Sequence, residues 1–141
     1  METTNSISTS SADIGKLILR VSLGVLVLLH GIAKLISGPG FVLKVVTAAG
    51  LPAAFGYLVY VGEVVAPVLV IVGLWSRVAA LIVATSVTVA VLLAKPAQIF
   101  AIANTGGWGV ELEGMFVFAA IAVVFLGAGR YSIGGIRGRW N

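Results

Sequence analysis

Four long apolar runs dominate the chain, at about 15–36, 54–75, 78–94 and 112–128, with few polar positions inside them. Each meets or approaches the ~20 residues that a helix needs to cross hydrocarbon. A buried helix of a water-soluble domain keeps one polar face, and the second and third runs have almost none. The pattern predicts four transmembrane helices. The third is the shortest before Lys95-Pro96 stops it, and the apolar stretch at 99–103 either extends it or lies along the surface. Ser37-Gly38-Pro39-Gly40 closes the first helix and Gly50-Leu51-Pro52 precedes the second, leaving 41–49 to form a short interfacial helix. Only Trp75-Ser76-Arg77 separates helices two and three, which makes them antiparallel neighbours. The glycine-rich stretch at 104–109 reads as a flexible turn before helix four.

Outside the runs, residues 1–13 are rich in Ser and Thr and read as a disordered N-terminal tail. They lack the basic start and small-residue cleavage site of a signal peptide. Residues 14–134 form the four-helix domain, and 135–141 a basic C-terminal tail.

Composition agrees with a bilayer. Hydrophobic residues make up 60% of the chain and charged residues 10%, against about 25% charged in an ordinary soluble domain. The mean hydropathy is +1.14. The fold class expected is all-α, an integral membrane four-helix bundle. With no Cys, disulfides, thiolate metal sites and thiol redox chemistry are excluded. The basic excess sits in loops and at the C-terminus, so it reports topology rather than nucleic-acid binding. Lys16, Arg20, Arg77, Arg130, Arg137 and Arg139 lie on one side, and Lys34, Lys44 and Lys95 on the other. That bias puts both termini in the cytoplasm. Trp75, Tyr131 and Trp140 on one side and Trp108 on the other suit interfacial aromatic belts.

Glu63 carries the candidate chemistry. No other charge lies between Lys44 and Arg77, and an ion so placed must pair, protonate or face a wet cavity. At 1.5 Å per residue, His30 lies about 9 Å inward from the outer end of helix one and Glu63 about 13 Å inward on helix two. Lys34 is one turn nearer the surface than His30, and Glu111 and Glu113 stand at the outer mouth of helix four. His30, Lys34, Glu63 and Glu111 therefore form the expected polar cluster, with Glu113 a further candidate and Arg20, Tyr60 and Pro67 in support. Arg20, Gly24, Val27, Gly31 and Lys34 share one stripe, with His30 at its flank. Gly56, Tyr60, Glu63, Pro67, Val70 and Leu74 share a face of helix two. Ala80, Ala84 and Thr88 form a small-residue seam on helix three, so helices one, two and four build the polar face. Pro67 removes the helical donor for the carbonyl of Glu63, which predicts a kink and a free acceptor with room for a ligand or water.

In this order, the residues resemble the DoxX family of small four-helix membrane proteins. The match runs through R-V-S-L-G-V-L-V-L-L-H-G-I-A-K-L (20–35), G-L-P (50–52), G-E-V-V-A-P-V-L-V-I-V-G-L-W-S-R (62–77), G-x-E-L (109–112) and G-A-G-R-Y-S (127–132). It covers about residues 14–134. The family often places an Asp after a closing Ser-Leu, whereas here Ser132-Ile133 leads to Gly134. The resemblance implies a bacterial inner-membrane protein tied to redox systems. Relatives are named as subunits of thiosulfate:quinone oxidoreductase or of a terminal quinol oxidase, and others assemble with superoxide-detoxifying and sulfur-transfer enzymes.

The residues themselves limit that inference. His30 is the only imidazole, so a bis-His haem is excluded, and His30 with two carboxylates is a weak metal site. No resident metal is expected. The chain is then expected to be a noncatalytic subunit of a quinone-linked or oxidative-stress/sulfur assembly, with membrane or peripheral redox proteins as partners and a quinone or lipid as the expected ligand. Two other readings stay open: a purely structural accessory subunit, and a small transporter or channel that works as an oligomer. Residue by residue, blander roles compete. Glu63 with Lys34 reads equally as an ion pair fixing helix register. Arg20 reads as snorkelling to headgroups, Arg77 and Arg130 as topology anchors, and His30 as a packing residue. Glu111 and Glu113 read as solvated acids at a helix N-terminus.

Overall fold

Glycine and proline decide where the helices break. The computed structural model describes residues 2–138, 140 and 141, with the backbone alone over 2–9. Met1 lies outside the described residues, as does Arg139, one of the basic residues counted for orientation. Helix α1 (Glu2–Ser37) stops at Gly38, whose φ of 81° no β-carbon favours. Helix α2 (Gly40–Ala48) follows Pro39 at once and occupies the segment expected to be interfacial. The next span, Ala53–Val72, is composite: a 3₁₀ turn over Ala53–Leu58, a π turn over Val61–Val65, and helix α3 (Ala66–Val72). Helix α4 (Ser76–Ala94) ends before Lys95-Pro96, and helix α5 (Glu111–Leu126) ends at Gly127. Among the described residues there is no β-strand, only one bridge between Ile102 and Trp108.

Among the described residues, three helices are long and apolar enough to cross a membrane: Ser10–Ser37, Ala53–Val72 and Ser76–Ala94. The fourth apolar run yields 16 residues of helix, or about 24 Å. The chain is thus all-helical and membrane-spanning. Helix α1 packs against α3 and α5, and α4 against the same two. Between them lies one apolar core of Leu23, Val27, Ala66, Val70, Ala79, Ala80, Val83, Ala84, Val87, Phe116, Ala120 and Val123. Large apolar side chains such as Ile18, Leu26, Leu81, Phe118 and Phe125 point outward, as contact with lipid requires.

Several expectations need correction. The first helix extends back to Glu2 through the segment read as a tail, and Asp13 is buried, accepting a bond from the Arg130 amide at 3.2 Å. The seam on α4 holds at Ala80 and Ala84 but not at Thr88, which is exposed and bonds back to the Ala84 carbonyl. Residues 99–103 do not prolong α4. They fold into a loop pinned by Trp108, whose indole N–H donates to the Ile99 carbonyl at 2.6 Å. The C-terminal residues also pack inward. Gly134 N donates to the Gly73 carbonyl, and the buried Asn141 side chain accepts from Ser76 N and Oγ, satisfying first-turn donors of α4.

Candidate functional site

Glu63 sits in the π turn, buried, with its carboxylate bonded to the Lys34 ammonium. Pro67 explains the local geometry. Its missing N–H and its ring forbid a regular helical turn above Glu63, and the wider turn absorbs the mismatch. The tight 3₁₀ turn before it and the wide π turn offset one another in rotation. Gly56, Glu63, Pro67 and Val70 consequently all remain buried on one side. The freed Glu63 carbonyl does not open space for a ligand as expected. It rests on Gly31 of α1, where a Cβ would overlap it. Tyr60 strengthens the same junction by donating its hydroxyl to the Lys34 carbonyl at 3.2 Å.

Beside this pair is a cavity of about 750 Å³, inside the size range of small-molecule sites. Its walls come from α1 (Val27, His30, Lys34), α2, the second span, α4 and the start of α5, and most of its lining is Val, Leu, Ile and Phe. Helix α2 lines it with Phe41, Val42, Val45 and Val46, of which Phe41 is also exposed. His30 is on its wall, with its ring edge-on to Phe116 at 5.8 Å between centroids.

A second ion pair opens on the same cavity. Lys95 Nζ is 2.5 Å from Glu113 Oε1, and both residues line the space. His30 lies within electrostatic range of Glu113. The cavity lining differs from the expected cluster in two respects. Glu111 is exposed and absent from the lining, with its carboxylate near Gly107, while Glu113 takes the inward position. The polar wall also needs Lys95 at the end of α4, not helices one, two and four alone. Helical rotation carried the signal for Glu113. At 100° per residue it shares the face of Phe116, Ala120 and Val123, whereas Glu111 points about 160° away. Among the described residues, no three of His, Asp and Glu gather as metal ligands.

Arg20 departs furthest from expectation. It is 2% exposed, so it does not snorkel. Its guanidinium donates to the carbonyls of Val70 (3.0 Å), Ile71 and Tyr131. The first two are C-terminal acceptors of α3 that have no helical donor because the chain turns left-handed at Gly73 (φ 74°). Arg77 performs the same task on α5, donating to Val124 at 2.8 Å, Phe125 at 3.2 Å and the Asn141 carbonyl at 3.0 Å. Both arginines lie at the end of the molecule opposite the cavity and act as helix caps.

The sequence model of the DoxX family matches residues 15–96, more than half of the 141 residues. The match includes Arg20, His30, Lys34, Glu63 and Lys95 and ends before Glu113. No curated protein and no solved structure matches the chain.

Proposed function

The chain belongs to the DoxX family, and from that premise we propose that it is a noncatalytic membrane subunit of a redox assembly, holding a quinone or lipid-like molecule among its helices. In this reading α5 completes a four-helix bundle in a bacterial inner membrane, its short helix accommodated by local thinning or snorkelling flanks. Both termini face the cytoplasm, since Lys16, Arg130 and Arg137 add to Arg20 and Arg77 at that end.

The observation that carries the proposal is the mostly apolar cavity of about 750 Å³ with the Lys34–Glu63 pair on its wall. An ionised pair inside an apolar wall is costly to maintain, and intramembrane ionisable residues mark functional sites by default. The residues present suit a quinone. Bound, it would supply carbonyl acceptors and reversible two-electron, two-proton chemistry. The Lys34 ammonium has donors beyond the one given to Glu63, and the His30 ring offers another. Glu63 is the group able to take a proton, and the valine-rich walls suit an isoprenoid tail.

The test is Glu63→Gln in membranes that hold the intact assembly. Insertion is expected to be normal and quinone-linked turnover to fall at least tenfold. Unchanged turnover per assembled complex, together with a lower Tm, would leave Glu63 a structural residue. An architectural role is the second reading, favoured by one observation: Arg20 and Arg77 spend their hydrogen bonds inside the fold. Mass spectrometry of the gently extracted complex separates the two, because only the first retains a small molecule in this chain.

A further inference from the structure

The two ion pairs occupy corresponding places in two successive helical hairpins. Lys34 near the end of α1 meets Glu63 in the following span, and Lys95 just after α4 meets Glu113 in α5. At the opposite end, Arg20 caps the first hairpin's second helix and Arg77 caps the other's. Those two helices end at Gly73 and Gly127, both with positive φ. Both Lys–Glu pairs open on one cavity, beside His30, Thr85 and Ser86, so its lysine and glutamate charges, two of each sign, balance.

We propose that Lys95–Glu113 is a second polar anchor of this cavity, and that the two pairs together select an uncharged amphiphile: an apolar tail carrying a neutral, hydrogen-bonding head. The inference rests on the ligand-site reading above and narrows its ligand class. An anionic head, such as a fatty-acid carboxylate, would bring an uncompensated charge into a space whose cations already have counter-ions. A cationic head fails for the converse reason. A neutral head meets neither penalty. Each ammonium has three protons, and one serves its carboxylate, so donors remain for a carbonyl. The carboxylate oxygens remain acceptors for a hydroxyl. His30, on the wall and within range of Glu113, adds a group that both donates and accepts.

The experiment uses the full chain in lipid nanodiscs, in a Trp75→Phe/Trp140→Phe background. Trp108 then reports alone, since its ring packs on Gly114 beside Glu113. A decyl-tailed para-benzoquinone is titrated as a quencher, followed by competition with dodecanoate and with dodecyltrimethylammonium. Expected are saturable quenching, no displacement by either ion at tenfold excess, and about tenfold weaker quinone binding in Lys95→Met/Glu113→Leu, the effect of one lost charge-assisted hydrogen bond. The exchanged pair Lys95→Glu/Glu113→Lys keeps the charge balance and should bind within threefold of the parent. Thermal unfolding checks that each variant is folded. Parent-like affinity in the apolar double variant overturns this inference while leaving quinone binding intact. So does efficient displacement by either ion, or a tenfold loss in the folded exchanged pair. Absence of saturable quenching in the parent overturns both this inference and the proposed function.

Discussion

Replacing Arg20 by Met keeps an unbranched chain of similar length and deletes the guanidinium. Three backbone carbonyls, of Val70, Ile71 and Tyr131, then lose their donor. A hydrogen bond to a charged group contributes about 1.5–3 kcal/mol, so three taken alone suggest roughly 5–9 kcal/mol. The sum overshoots, because burying the guanidinium has its own desolvation cost, which the substitution returns. Its Nε is also buried without a partner, so the charge is incompletely compensated. The net loss should resemble that of breaking a buried ionic contact, about 3–5 kcal/mol. At roughly 3 °C per kcal/mol for a chain of this size, Tm falls by about 10–15 °C. Arg20→Lys should lie between parent and Met, since one ammonium does not span the end of α3 and the Tyr131 loop together. The assay is loss of helical circular dichroism on heating the parent, Arg20→Met and Arg20→Lys in one detergent. If the side chain served only to reach headgroups, both variants would stay within about 2 °C of the parent, the behaviour of an exposed substitution. That result, or a lysine as good as arginine, would refute the capping argument.

Two further expectations concern the other end of the molecule. In a double-mutant cycle, Lys34→Met and Glu63→Gln should show a coupling of at least about 1 kcal/mol in thermal or denaturant unfolding, because the partners touch and Glu63 is buried; a coupling of zero would remove the ion pair from the account. Gly31→Ala places a methyl on the Glu63 carbonyl, which should cost about 1–3 kcal/mol by overpacking and separate α1 from the π turn. The accompanying measurement is amide exchange across 61–66, which should quicken, and an unaltered rate would contradict the close approach.

Much of the arrangement could be read from residue types. Apolar runs with Gly and Pro between them gave the helices, and the isolation of Glu63 marked a costly ion whose partner had to come from another helix. The stripe from Arg20 to Lys34 does face protein, with Arg20, Gly24, Val27 and Gly31 buried and Lys34 half-buried. Nearness to the helix mouth does not separate Glu111 from Glu113; the rotation that sets Glu113 with Phe116 and Ala120 does. The buried cap at Arg20 is hidden from the sequence for a different reason. A charge about 7 Å from a membrane face usually escapes to water, and nothing local announces that a neighbouring helix ends beside it with unmet carbonyls.

Sequence alone determined that this chain is helical, lives in lipid and must neutralise an acid at depth, because hydropathy, helix breakers and the cost of a buried charge act through the residue and its near neighbours. Tertiary structure decided which cation meets which anion. It also decided that Pro67 yields a π turn closed by Gly31 rather than an open acceptor, and that two arginines cap helices remote in the chain. Those outcomes depend on which helix end comes to rest beside which side chain, and that is set by packing the helices against one another, not by any one segment.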